Sequence, residues 1–489
     1  MADQGLLGQA KPAGTTNTLL YGAPIDSSAS AVLTIANDGT GAAYDVAIKN
    51  YDQALTLDAS SYLLHEGDVI TGYRFTLGTP IDSNSNLVPS NTITSADGEK
   101  TAQFESFYVP PFTEIDVKNV AIRAITVESV SGTFAIGDTL TKGSSPNNTD
   151  ALVYAVVTGE SNTIIHIGPS TLNGTGTEFA DGDSVSTAGG ASATVSTGGV
   201  GSANNEFVFS TDGSTYNLFL GVDLTIFKDR SYRFDTSDSS MSGRDFSFST
   251  TINGEWGPDN TAGTEDDGSE YTTGKTTNGT AGSGGAYVQF DFSADPNLGT
   301  TLYFYDGGTG TASNANFGGT DRFLSLSTDF TYNEIYVYEL AGTWANSSDS
   351  FTAGGTSFTL TGQTAGPYGY VRSYSSTTLK VIKGTGSADF AGTNVFQDSP
   401  KDGTASRSIV TVSSVDVATT AVGVENFISK DKTNAANNVD KLTSLVIGPG
   451  ERLIVESATQ NNVFTLLGFE DASNAFTIRN FVESAAGGG

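Results

Sequence analysis

Asp259, Glu265, Asp266 and Asp267 fall within the ten residues 259–268, beside Gly263 and Gly268, and form the one local concentration of hard oxygen donors in the sequence. Calcium takes about six to eight oxygens around a flexible turn, so carboxylates next to glycine are suitable donors for it. The spacing does not match the calcium loop that ends in a bidentate Glu, and the plainer reading is a solvated acidic hairpin. Thiolate ligands, cysteine nucleophiles and disulfides are excluded because the chain has no cysteine. The two histidines, His65 and His166, are far apart, which excludes a histidine-rich metal centre and makes each an ordinary strand or surface residue. No GxSxG, HExxH or phosphate-binding GxxxxGKS/T occurs. Among 54 acidic residues some pair meets the separation rule for glycoside hydrolysis by accident, so carboxylate chemistry gains no support. The expectation is a chain with no catalytic residue, no cofactor and no enzyme activity.

Trp256, Trp344, Tyr303 and Tyr305 have rings able to stack on a glycan. Each lies in or beside a strand pattern, so burial in a β core is the favoured reading. The 54 Asp and Glu against 23 Lys and Arg leave a net charge of -31, with no long acidic run. Such a surface repels phosphates and anionic lipids, which argues against nucleic acid and membrane partners and keeps many copies soluble until specific contacts form. Residues 1–14 lack a basic segment followed by an apolar core, and nowhere do 18 apolar residues run together. The expectation is a chain made in a cytoplasm and not exported by a signal peptide.

The elements that must position these residues are strands. With 58 Gly, 28 Phe and 19 Tyr against 2 Met, the composition favours hairpins and tight turns. In residues 30–39 Ala31, Leu33 and Ile35 alternate with Ser30, Thr34 and Ala36, and Asp38-Gly39 supplies the turn, as in a half-buried antiparallel sheet. Residues 444–471 read as three strands joined by Gly-Pro-Gly-Glu and Asn-Asn turns. Residues 421–442 are the best helix candidate, although their Asn cluster argues for a loop.

Two stretches, 126–200 and 336–412, can be laid over each other. VSGTFAIGDTL (130–140), DALVYAVV (150–157), NTIIHI (162–167) and GTGTEFADGDSV (174–185) match LAGTWANSSDSF (340–351), GPYGYVRSY (366–374), TTLKVI (377–382) and GTGSADFAGTNV (384–395) in order and spacing. The predicted fold is therefore all-β: several β-sandwich modules, with small repeated β units inserted into a sandwich formed by the N- and C-terminal segments. The predicted boundaries are 1–120 for the N-terminal sandwich part, which is the anchor, and 121–202 for the first repeat. A middle sandwich follows at 203–332, then the second repeat at 333–416 and the closing C-terminal strands at 417–489.

The opening NTLLYGAPIDSSASAVLTIANDG (17–39) and the GTF and GTEF turn motifs resemble virion structural proteins of marine cyanobacterial tailed phages, of tail-fibre or baseplate type. Module 203–332 resembles the cupredoxin-like sandwich of the same phage proteins. In those relatives a His follows the Tyr-Arg-Phe-Asp strand, and Cys, His and Met follow a Leu-Tyr-Tyr-Tyr strand, a set that suits copper. Here Arg244 stands for the first His, Asp306 follows Leu302-Tyr303-Phe304-Tyr305 in place of Cys, and residues 307–319 contain neither His nor Met. The resemblance implies a sandwich without its metal ligands, and Arg244 with Asp306 as an ion pair where metal once joined two strands. It also implies a virion location after assembly in the host cytoplasm. The implied partners are other virion proteins, copies of the chain itself with a trimer favoured, and a host surface glycan. The rival readings are a capsid decoration protein and, from another class, a carbohydrate-binding adhesin or polysaccharide depolymerase.

Overall fold

The computed structural model describes residues 4–160, 162–219, 224–259, 261–307, 322–398 and 408–478. Strands make up the described architecture, and its only helices are four single 3-10 turns. The chain divides into two compact units, Met1–Val109 with Thr331–Gly489, and Pro110–Phe330.

In the first unit the terminal segments close on each other as two four-stranded sheets. One runs Gln4–Ala10, Asn462–Ala472, Ser27–Asn37, Val439–Ile447, and the other Thr18–Gly22, Arg452–Ser457, Ala42–Lys49, Phe427–Asn434. The alternation along residues 30–36 turns Leu33 and Ile35 inward, where they meet Tyr44, Val46, Leu453, Val455, Phe464 and Leu466. Residues 427–434 and 439–447 are strands, neither helix nor loop. The Asn residues there terminate a hairpin: buried Asn434 donates to Ile35 O at 3.0 Å, and Asn438 donates to Asn434 Oδ1 at 3.1 Å. Side-chain amides can replace ladder bonds at strand ends, which is why an Asn cluster was a poor guide here.

The sandwich is narrower than the expected 1–120, because residues 53–107 pair elsewhere. Three six-stranded barrels share one strand ring. The first uses Gln53–Leu57, Val69–Thr71, Tyr368–Ser375, Thr378–Lys383, Val395–Gln397 and Ile409–Val417. The second uses Arg74–Asp82, Thr92–Thr94, Thr101–Phe107, Thr331–Ala341, Ser350–Ala353 and Thr356–Thr364. The third, in the other unit, uses Thr113–Ser131, Thr139–Ser144, Asn147–Thr158, Thr163–Ile167, Ser184–Ser186 and Ser192–Ser210. Numbered along the chain, the strands of each follow the order one, four, three, two, five, six around the wall. Exchanging strands one to three for four to six leaves that order unchanged, so each barrel is itself a doubled three-strand unit. The third closes by a ladder between strands one and four, and the second by the bridge Ser95–Phe351. In the first, the Leu63 N–H reaches Asp398 across the open side.

The barrels are nested. The second interrupts the first between its strands two and three, and Pro110–Phe330 interrupts the second between its strands three and four. The two repeats expected at 121–202 and 333–416 are thus three. Residues 340–351 belong to the second barrel, whereas residues 366–395, read as their continuation, belong to the first.

One turn recurs six times, entering strand two and strand five of every barrel. A side-chain oxygen of Asp68, Asn91, Asp138, Asp183, Asp349 or Asn394 accepts the N–H of His65, Val88, Ala135, Ala180, Ala345 or Ala391, at 2.6–3.0 Å. Between the partners stands a residue in the left-handed region: Gly67, Ser90, Gly137, Gly182, Ser347 or Thr393. An apolar residue precedes each turn and packs inward, most fully Leu64, Phe134, Phe179, Trp344 and Phe390. Asp and Asn suit this position because a short polar side chain can cap its own turn. Asp138→Ala is expected to destabilise the third barrel by about 1–3 kcal/mol, because the Ala135 N–H loses its acceptor. Hydrogen exchange along residues 139–144 measures it, and unchanged protection there would refute the role.

The second unit joins the third barrel to a sandwich. The first half of Thr113–Ser131 and the end of Ser192–Ser210 continue out of the barrel into a sheet with Ser231–Asp235, Tyr287–Asp291 and Lys275–Asn278. The facing sheet is Thr225–Phe227, Phe323–Ser327, Thr301–Asp306 and Phe246–Ser249. Phe207, Phe209, Phe234, Phe246, Phe248, Phe290, Phe292 and Phe304 fill the space between, many edge to face. The sandwich therefore begins at about residue 113 of the chain, earlier than the expected 203.

Candidate functional sites

Asp306 ends Thr301–Asp306 directly opposite Phe246, so it faces the turn that carries Arg244 and Asp245. Its side chain is fully buried; Oδ2 lies 3.4 Å from Arg244 Nη1, and Oδ1 accepts the Asp245 N–H at 2.8 Å. The Gly307 N–H returns to Asp245 O at 2.8 Å. The pair expected from sequence thus exists, and its stronger part is the backbone bond, since a buried carboxylate needs hydrogen bonds as well as a counter-charge. Beside it the Tyr305 hydroxyl donates to Glu255, and Ser247 Oγ donates to Glu270 Oε1 at 3.1 Å. Burial, then the Glu255 hydrogen bond, pushes the Tyr305 hydroxyl far above its ordinary value, so it stays protonated. Among the described residues the polar partners around this pair are carboxylates, hydroxyls, backbone groups and a guanidinium.

The acidic loop gathers three of its four acids: carboxylate oxygens of Asp259, Asp266 and Asp267 lie within 4.8 Å of one another, without Glu265. Those oxygens already cap their own backbone. Asp267 Oδ2 accepts the N–H groups of Gly263 and Thr264, and Asp266 Oδ1 accepts Thr264 Oγ1 at 2.7 Å. The Thr264 hydroxyl holds the Asp266 carboxyl below its ordinary range. Because the loop's own hydrogen bonds occupy these carboxylate oxygens, chelation with EDTA is expected to move the melting temperature by less than about 2 °C, and millimolar calcium no more. A rise of several degrees with calcium, abolished in Asp266→Asn/Asp267→Asn, would show a bound ion instead.

Of the aromatic candidates, Trp344 packs on Phe75 at 5.0 Å in the second barrel, and Tyr305 is buried. Tyr303 lies edge-on to Phe323, and Trp256 is half-buried. His65 is a turn residue whose Nδ1 lies 3.5 Å from Asp68, and His166 lies on strand four of the third barrel.

A cleft of about 710 Å³ in the first unit, lined among others by Asp26, Asp52, Glu339, Tyr370, Lys383 and Arg452, was not anticipated. At its floor Arg452 Nε and Nη2 each reach Asp52 at 2.7 Å, and Nη1 donates to Ala23 O at 3.0 Å. Arg452 is paired in register with Lys49, an arrangement of like charges that only outside partners can stabilise. Lys49 is fully buried, and its Nζ donates to Ala418, Thr419 and Ala421 O at 2.9–3.0 Å. Burial pushes the Lys49 ammonium down to about 8 from 10.5; Asp52 opposes this and Arg452 adds to it. Between those two values the unfolded chain holds more protons than the folded one, so this group makes stability rise with pH across that window. The wild type should therefore gain on Lys49→Met from pH 8 to 10 in urea unfolding, and parallel pH curves would contradict it. Isolated charges in strand patterns gave no sequence signal for these three residues; the only hint is that Lys49 and Arg452 each adjoin an apolar run, Val46–Ile48 and Leu453–Val455.

Compared with family models, curated proteins and solved structures, the chain matches none. No helix among the described residues is long and apolar enough to cross a membrane.

Proposed function

We propose that this chain is a non-enzymatic structural subunit of a tailed-phage particle, of tail-fibre, spike or baseplate type, that works through shape and repeated contacts. The observation that carries the reading is what the three nested barrels hold in common. They share the strand ring, the capped turn and the inward apolar positions, as in Ile125 and Val127, Leu55 and Leu57, Phe75 and Leu77. Among the described residues they share no polar cluster beyond the capped turn. A unit copied for catalysis would repeat its reactive side chains, whereas one copied as scaffold repeats its turns and core. The buried charges Lys49, Asp52, Arg452 and Asp306 are held by backbone groups and by one another, as structural staples are. The resemblance of residues 17–39 and of the turn motifs to cyanophage virion proteins supplies the setting.

Antibody against the purified chain should label tails or baseplates in electron micrographs of the particles. Label spread over the head would make it a decoration protein instead. Its absence from particles, or release of reducing ends from host polysaccharide by the purified chain, would overturn the proposal.

A further inference from the structure

The outer sheet of the terminal sandwich leaves an apolar face uncovered. Register places Leu6, Leu467 and Val32 in one row across three strands, and Phe469, Ser30 and Val446 in the next. All five apolar side chains are exposed, Leu6 by 61% and Phe469 by 57%. Together they present roughly 500 Å², near the upper limit for a patch on a monomer and enough for the centre of an interface burying about 800 Å² per partner. In a chain of net charge -31 these two rows carry no ionisable side chain. The flanking rows do, and with opposite signs: Lys441 lies in the row of Thr465 and Thr34, and Asp471 in the row of Ser28, beyond Phe469.

We infer that this face is where two copies of the chain meet about a two-fold axis running across the strands. Such an axis reverses the order of the rows. It lays the apolar rows of one copy on those of the other. A self-complementary patch of this kind is what an isologous contact requires. An anionic lipid surface would need a basic rim, and the rim here has one charge of each sign. Two acidic molecules also repel over most of their surfaces, so an uncharged face is where their approach costs least. The inference deepens the structural reading above by naming the surface through which copies assemble, and it favours a pair over the trimer expected from sequence.

Sedimentation velocity on the full chain at micromolar concentration and physiological salt tests it. The wild type should sediment as a dimer. Leu467→Asp/Phe469→Asp, which alters only exposed side chains, should weaken association roughly a hundredfold while far-ultraviolet dichroism and melting stay unchanged. A monomeric wild type, or a dimer or trimer indifferent to these substitutions, would overturn the face. Failure of that kind leaves the labelling of particles untouched, whereas a dimer absent from particles would sink the functional reading alone.

Discussion

Arg452→Met is expected to destabilise the terminal sandwich and first barrel by about 3–5 kcal/mol, one of the largest losses available from a single side chain. The guanidinium lies over a carboxylate that is only 2% exposed, and both of its bonds to Asp52 measure 2.7 Å. Asp52 Oδ2 also accepts the Lys383 N–H at 2.7 Å, so the carboxylate cannot turn to solvent without breaking a strand end of the first barrel. Removing the cation leaves a buried charge with a single backbone donor. The penalty belongs to the orphaned partner more than to the bond itself, and that gives the test its control. In Asp52→Asn/Arg452→Met the guanidinium and the carboxylate leave together, Lys49 keeps its three carbonyl acceptors, and the Asn oxygen still accepts from Lys383, so most of the loss should return. Hydrogen exchange along residues 53–57 and 452–457 reads both variants locally. A double variant as damaged as the single one would mean that Arg452 acts through packing alone.

How much of this was legible in the sequence depends on the range of the interaction. Strand alternation is local, and it placed Leu33, Ile35 and their neighbours on the core side correctly. The capped turn is local too: four of its six copies lie inside the motifs quoted from sequence, at Phe134–Asp138, Phe179–Asp183, Trp344–Asp349 and Phe390–Asn394. The other two were missed because chemistry had been substituted while geometry held. Leu64 and Leu87 replace the aromatic residue, His65 and Val88 replace the alanine, and Asn91 replaces Asp. Leu64-His65-Glu66-Gly67-Asp68 against Phe134-Ala135-Ile136-Gly137-Asp138 was the readable clue, since both keep Gly-Asp after an apolar residue.

Which half-repeats belong together is a different kind of information. Residues 340–351 and 366–374 are close in the chain yet lie in different barrels, because the first barrel resumes only after the second is complete. The turn motif is common to all three barrels and so cannot say which barrel a copy serves. Only pairing decides that, and pairing here spans hundreds of residues, as when Gln53–Leu57 meets Thr378–Lys383. The buried charges were illegible for the same reason: Lys49 is satisfied by carbonyls from residues 418–421, and Asp52 by Arg452. The Arg244–Asp306 pair, expected from sequence, is present, because Asp306 ends its strand opposite Phe246 and so meets the turn that carries Arg244.

Deleting residues 73–365, with Gly72 joined directly to Gly366, is expected to leave the terminal sandwich and first barrel folded. The nested order makes this a strong claim, since well over half the chain is removed. Thr71 pairs with Tyr368, the Gly72 N–H donates to Pro367 O at 2.8 Å, and a Cβ built on Gly366 would lie 2.5 Å from the Gly72 carbonyl carbon. The exit and entry of the insertion therefore already stand side by side as the two arms of a hairpin, and the join closes a short loop at small entropic cost. Leu55, Leu57, Ile70, Val371, Leu379, Val381, Phe396, Val410 and Val412, the first barrel's core, all remain. What is lost is cover: Tyr338 of the second barrel packs on Val69, Tyr368 and Tyr370, and Thr71 donates to Val337 O. The melting temperature should fall, and Tyr368→Thr should restore solubility if the bared aromatics associate. Cooperative unfolding and slow exchange along residues 53–57 and 378–383 would establish the first barrel as a complete folding unit. A second version with two glycines at the join guards against a strained loop, and if neither folds, the barrel depends on the insertion it surrounds.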